Sequence, residues 1–212
     1  MTDMAGTTGT PDWVVCFSGF DPEQERLRET LCTLGNGYFA TRGAAEEAQQ
    51  DATHYPGTYL AGGYNRLKTE IAGRSMESED FVNMPNWLCL SFRPEDGKWF
   101  SPASYELLSY ECRLNLQHGI LVRTFHTRDH QGRETTISSR RLVSMADPHL
   151  ASIEMTLTAQ NWSGPIQIRT ALDGRIINAG VKRYQQLNSQ HLTPLGTEIV
   201  GEDGIALLVK TN

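Results

Sequence analysis

Ile153-Glu154-Met155-Thr156-Leu157-Thr158-Ala159-Gln160 alternates apolar and polar residues without a break, Asn161-Trp162-Ser163-Gly164-Pro165 follows it, and Ile166-Gln167-Ile168-Arg169-Thr170 resumes the alternation. Period two over eight residues puts Ile153, Met155, Leu157 and Ala159 on one face of a strand and their polar neighbours on the other. The Asn, Ser, Gly and Pro between the two runs supply turn chemistry. Upstream the same grammar repeats. Thr135, Ile137 and Ser139 alternate until Ala146-Asp147-Pro148 breaks the run, and Asp129-His130-Gln131-Gly132 marks the turn before them. Earlier still, Ile120, Val122 and Thr124 share one face and Leu121, Arg123 and Phe125 the other, behind Leu114, Leu116 and the turn Gln117-His118-Gly119. Downstream, Asp173-Gly174 closes the unit.

Long strands at short spacing predict an all-β chain, a large antiparallel β-sandwich. Residues 105–180 have no room for the crossover helices that a parallel sheet needs. One short helix is expected near the start. There Asp21-Pro22-Glu23 offers a cap, a first-turn proline and acidic charge ahead of Gln24 to Leu31. Residues 44–80 alternate only around Thr58 to Tyr64 and read as long loops. Residues 1–12 read as a disordered tail before a sandwich over 13–212. Ala206-Leu207-Leu208-Val209-Lys210-Thr211-Asn212 has strand composition to its last residue, so the chain is expected to stop inside the sandwich, leaving an unpaired edge.

Composition narrows function mainly by exclusion. The 212 residues carry 19 basic and 25 acidic side chains, a net charge of −6, with no basic patch beyond the pairs Arg140-Arg141 and Lys182-Arg183. Nucleic-acid and anionic-membrane partners are therefore not expected. No apolar run approaches membrane-spanning length and the start lacks a secretory pattern, so the expected location is cytoplasmic. Cys16, Cys32, Cys89 and Cys112 are spaced too widely for a zinc site or a disulfide scaffold and are read as reduced thiols. Nucleophile elbows, phosphate loops and metal motifs are absent. No cofactor and no metal is expected. His126 and His130 straddle a strand and its turn, where their spacing does not align them. Glu46-Glu47 and Glu77-Ser78-Glu79-Asp80 are read as loop carboxylates on a solvated face.

Three clusters ask for more than core packing. Leu34 to Gly43 sets three glycines, Asn36 and Arg42 around Tyr38 and Phe39, either a bulged strand or a surface that another element approaches closely. Asn83-Met84-Pro85-Asn86-Trp87 suits sugar hydroxyls and a sugar's apolar face, or else is a proline-kinked strand with Trp87 in the core. Tyr55 to Tyr64 could line a groove or staple a loop.

In this order the clusters resemble the N-terminal domain of glycoside hydrolase family 65, which includes maltose, trehalose, kojibiose and nigerose phosphorylases and acid trehalases. The matching stretches begin with Trp13, Gly19-Phe20-Asp21-Pro22, Glu29-Thr30-Leu31, Leu34 to Tyr38 and Thr41-Arg42-Gly43. They continue with Gly57-Thr58-Tyr59, Ala61-Gly62, Val82 to Trp87, Leu114-Asn115-Leu116 and Gly119. Arg140 to Ser144, Leu172-Asp173-Gly174 and Asn178 complete the pattern. The resemblance implies a supersandwich of the galactose-mutarotase-like kind, followed in the same polypeptide by a helical linker, an (α/α)6 barrel and a small β-sheet domain. It places the general-acid glutamate and the phosphate-binding groups in that barrel, so this chain alone is expected to have no catalytic residue. The implied parent reaction is inverting phosphorolysis of an α-glucosyl disaccharide, with inorganic phosphate as co-substrate and β-glucose 1-phosphate as product. Hydrolysis by activated water is the alternative. A homodimer is implied as well. Asn36, Tyr38, Arg42, Asn83, Asn86 and Trp87 are the candidate substrate- or barrel-facing residues. The rival readings are a free-standing carbohydrate-binding module, with Trp87, Trp99, Tyr59 and Tyr64 as platforms, or a purely structural scaffold.

Overall fold

The computed structural model describes residues 13–179 and 186–212. The expected tail, residues 1–12, lies outside them. Among the described residues every strand pairing is antiparallel, in a sandwich with one short helix. The principal sheet has five strands in the order β1 (Val14–Ser18), β8 (Glu106–Asn115), β9 (Ile120–Arg128), β10 (Glu134–Val143) and β11 (Ala151–Ala159). Its turns are those the sequence marks. The Asn115 carboxamide oxygen accepts from the His118 amide at 3.0 Å before Gly119, whose φ of +62° suits glycine. Asp129 Oδ1 accepts from the amides of Gln131 and Arg133 around Gly132.

One phase of the alternation is buried across the sheet. Leu121, Arg123, Phe125 and Thr127 of β9 lie beside Ile137, Ser139 and Arg141 of β10, with Ile137 opposite Phe125 and Arg141 opposite Leu121. Two layers cover this face. At one end β7 (Leu90–Pro94) pairs with β12 (Ile166–Thr170), and Phe92 and Ile166 pack with Phe100, Tyr105, Phe125 and Ile137. Full burial of Phe92 and Phe125 stabilises by about 2 kcal/mol each. At the other end Cys32, Leu34 and Phe39 pack on Cys112, Leu114, Leu121 and Val143. The turn from Asn161 to Pro165 therefore takes the chain from one layer to the other: β12 pairs with β7, not with β11.

The helix, α1 (Glu25–Leu31), starts one residue later than expected. Asp21 caps the preceding turn, its side chain accepting from the Glu23 amide at 3.0 Å and its carbonyl from the Glu25 amide at 3.1 Å. Gly43 crosses its end so closely that a Cβ would stand 2.4 Å from the Cys32 Cβ. Gly35-Asn36-Gly37 is a tight turn between β2 (Leu34–Gly35) and β3 (Phe39–Thr41), and β3 pairs with β4 (Thr58–Leu60).

Residues 44–80 are not all loop. β5 (Tyr64–Ile71) and β6 (Arg74–Phe81) form a hairpin through Ala72-Gly73, both at positive φ. Glu77, Glu79 and Asp80 thus sit on a strand, and its largely exposed faces are why no alternation betrays it. Residues 206–211 do form a strand: β14 (Gly204–Thr211) pairs with β13 (Leu192–Val200) and with no other strand among the described residues.

Candidate functional site

Residues 41–58 and 82–90 lie largely outside the strands, and their backbone groups are held by side chains. The first anchor is Glu29, 1% exposed on α1. Its carboxylate accepts from the Tyr55 amide at 2.9 Å, lies 2.9 Å from His54 Nδ1 and stands 3.6 Å from Arg42. Burial alone would lower the His54 pKa, but the Glu29 carboxylate overrides it and the net shift is upward. Arg42 donates to the carbonyls of Tyr55 at 2.8 Å and Arg26 at 2.8 Å and stacks on the Tyr55 ring.

The second anchor overturns the reading of Glu46-Glu47 as a solvated face. Glu46 is 1% exposed, between two guanidinium groups that point inward from the sheet. Arg141 donates to Glu46 Oε1 at 2.5 Å and to the Ala44 carbonyl at 2.7 Å, and Arg123 donates to Glu46 Oε2 and, at 2.8 and 3.0 Å, to Glu47. Burial pushes the Glu46 carboxyl up, yet the two arginines more than compensate and hold it at about 2. Arg141 is accordingly no part of a basic surface pair: Arg140 is exposed and Arg141 buried. The sequence carried a signal for this, since Arg123 and Arg141 fall on the inward phase, where an unpaired charge is untenable.

The six candidate residues are distributed as follows. The Asn36 amide nitrogen donates to the Ser144 carbonyl at 2.7 Å and its oxygen accepts from the amides of Tyr38 and Phe39, tying this turn to the end of β10. Asn83 accepts from the Thr58 amide at 3.0 Å and donates to the Pro56 carbonyl at 3.0 Å. Asn86 accepts from the Leu88 amide at 3.0 Å, and its backbone bridges to Asp173. All three asparagine side chains are thus occupied within the chain. Trp87 is half-buried, donates to Thr41 Oγ1 at 3.2 Å and meets Phe39 edge-on. Tyr38 is 38% exposed with its ring edge on His149. Arg42 is one wall of a cleft of about 400 Å³ shared with Tyr55, Tyr59 and Phe81. The four proposed aromatic platforms do not gather: Tyr59 and Tyr64 share Phe81, Trp87 packs on Phe39, and Trp99 lies apart between Arg93 and Arg169.

Among the described residues no group of three or more His, Cys, Asp or Glu could hold a metal ion, and no helix is long and apolar enough to cross a membrane. His126 lies 3.2 Å from Glu134, and His130 is exposed in its turn.

Residues 15–212 match the family profile described as "Glycosyl hydrolase family 65, N-terminal domain". A protein of Mycobacterium tuberculosis described as an uncharacterized glycosyl hydrolase is 44% identical over 94% of this chain, which covers 15% of that protein. The kojibiose phosphorylase of Halothermothrix orenii is 31% identical over 82% of the chain and 21% of its own length. A solved chain described as "Putative kojibiose phosphorylase from human microbiome" superposes with a TM-score of 0.80 at 22% identity, over 96% of this chain and 26% of that one, which shows the fold. The chain spans 15% to 26% of the length of the curated relatives it matches. With nearly all of its described sandwich inside the profile, this chain belongs to glycosyl hydrolase family 65, as a copy of that family's N-terminal domain.

Proposed function

We propose that the chain is the non-catalytic N-terminal sandwich of a longer, homodimeric cytoplasmic enzyme that phosphorolyses an α-glucosyl disaccharide. The observation carrying this reading is the family match over residues 15–212, joined to relatives about four times as long whose names include kojibiose, trehalose and maltose phosphorylases. In the parent reaction phosphate attacks the anomeric carbon while a carboxylic acid protonates the leaving oxygen, giving β-glucose 1-phosphate and the second sugar. That acid has to be protonated near neutral pH, which calls for a raised pKa. Glu46 is shifted the opposite way, and Glu25, which burial pushes up, is tied to Arg28 at 3.0 Å. Neither suits the role, and in this reading the acid is supplied by the barrel.

The segments Gly35 to Gly43 and Asn83 to Trp87 face the barrel and linker in this reading. Asn36, Arg42, Asn83 and Asn86 hold the backbone there, while Tyr38 and Trp87 present surface. A second reading, hydrolysis, is favoured by the 44% identical relative, whose description is glycosyl hydrolase. Assaying a polypeptide extended beyond Asn212 on maltose, trehalose and kojibiose, with and without phosphate, separates the two. Phosphate-dependent release of β-glucose 1-phosphate is the expected result, phosphate-independent cleavage would establish the second reading, and no cleavage at all would defeat both. In the same enzyme Trp87→Ala should lower kcat or stability, and no effect on either would remove this segment from the active-site wall.

A further inference from the structure

A broad cleft among the described residues has no part in that reading. It measures about 620 Å³ and opens between residues 47–54, the Phe20–Pro22 turn and the segment 99–103, with Arg169 of β12 at its rim. That volume is within the range of about 300–1,000 Å³ usual for small-molecule sites. Two kinds of group converge on it. Phe20, Pro102 and the Trp99 indole are flat and apolar; Gln49, Asp51 and Arg169 end in planar polar heads.

The side chains of Gln49 and Arg169 are free of hydrogen bonds among the described residues, Asp51 keeps Oδ2 while its Oδ1 accepts from the amides of Thr53 at 2.8 Å and His54 at 2.6 Å, and Arg169 is pre-set. Gln49 is exposed and Thr53 partly so, and neither side chain makes a hydrogen bond among the described residues. The Arg169 guanidinium lies 4.3 Å from the centre of the Trp99 ring. Arg93 lies 4.8 Å from that ring and donates to Gln167, its partner across the β7–β12 ladder. Arg169 follows two residues after Gln167 and so shares that face. Stacking removes rotamer freedom from Arg169 and leaves its in-plane N–H donors for a ligand.

Charge selects the class of ligand. Glu47 is already paired with Arg123 and His54 with Glu29, which leaves Asp51 and Arg169 as the opposed formal charges, and these cancel. A phosphate would meet Glu47 and Asp51 as well as the arginine. Uncharged vicinal hydroxyls suit the set better: the guanidinium engages two neighbouring oxygens, the Gln49 carboxamide and the remaining Asp51 oxygen take a hydroxyl each, and apolar rings cover a sugar's C–H face. We propose that this cleft is a binding site for a neutral saccharide of one or two hexose units, separate from the site of bond cleavage. It rests on the preceding section only for the choice of maltose as probe.

Calorimetric titration of the protein with maltose, glucose and glucose 6-phosphate tests it, using wild type, Arg169→Ala and Gln49→Ala. Both substituted side chains are exposed, so melting curves are expected to stay unchanged. The expected result is millimolar maltose binding, weakened about tenfold in each variant, with glucose bound more tightly than glucose 6-phosphate. Absence of heat with maltose, binding indifferent to both substitutions, or preference for the phosphorylated sugar would each overturn the proposal. None of these outcomes depends on whether the extended polypeptide cleaves a disaccharide.

Discussion

Replacing Glu46 by Gln should be among the most damaging isosteric changes available to this chain. The carboxylate is 1% exposed and is shared by Arg123 and Arg141, themselves 2% and 1% exposed. Glu46→Gln keeps the size and one acceptor oxygen but removes the negative charge. Arg123 still has Glu47; Arg141 is left with the carbonyls of Ala44 at 2.7 Å and Arg42 at 3.2 Å. Leaving a buried charge without its counter-ion costs about 3–5 kcal/mol. The depression of the Glu46 carboxyl from 4.5 to about 2 gives an independent figure, about 3 kcal/mol at 1.36 kcal/mol per pH unit. For a domain of this size that corresponds to a fall in Tm of about 6–12 °C. Urea and thermal unfolding at pH 7 measure it, and a loss below about 1 kcal/mol would refute the reasoning. The pH dependence supplies a sharper check. Because the folded-state pKa is depressed, the contribution is whole above pH 4.5 and is lost as pH falls toward 2. The gap between wild type and Glu46→Gln should therefore close over that interval. A gap constant with pH would mean that the carboxylate charge is not its source.

His54 predicts the opposite slope. Its pKa is raised in the fold against the desolvation that opposes it, so its contribution is complete below pH 6.5 and declines as pH rises through the elevated value. His54→Gln should flatten the alkaline limb of the stability–pH curve, and an unaltered limb would exclude the Glu29–His54 pair as its cause. Asn83→Ala strands the Thr58 amide and the Pro56 carbonyl in a 1% exposed site and should cost about 1–3 kcal/mol in urea unfolding, whereas an exposed asparagine would cost almost nothing.

How much of this was legible follows from where each residue's partner lies. β9 to β11 could be read directly because more covered and more open residues alternate along each strand, and period two records that asymmetry. β5 and β6 escaped because Leu67 is the one buried side chain on the pair, so burial imposes no rhythm on Asn65-Arg66-Leu67-Lys68-Thr69-Glu70. Their turn was visible in principle as Ala72-Gly73, although alanine at a φ of +51° is not what sequence rules favour there. The passage of β12 to the second layer was hidden for another reason: alternation fixes which way side chains point, not which strand lies alongside. The ionic centre was half legible. Arg123 and Arg141 stand out as charges on an apolar phase, but Glu46 is 77 and 95 residues distant and follows no period.

The irregular residues between the strands carry structural consequences the sheets do not. Between Thr41 and Thr58 and again from Val82 to Leu90, the chain covers the inner sheet face with little regular pairing of its own. Backbone groups there must be satisfied by side chains, or burial would be prohibitive. Glu29, Arg42, Asn83, Asn86 and Arg141 do this, mostly across long sequence separations, from 13 residues between Arg42 and Tyr55 to 99 between Arg141 and Arg42. Removing one of them frees no compensating water contact, since most are nearly fully buried. A surface built in this way cannot relax residue by residue: it is either held in one arrangement or released as a unit. A domain that supports another's active site needs that property. On the proposed function, substitutions at Asn83 or Glu46 in the extended polypeptide should lower kcat and Tm together, whereas Arg169→Ala, at the exposed rim of the cleft proposed to bind saccharide, should alter sugar binding with Tm unchanged.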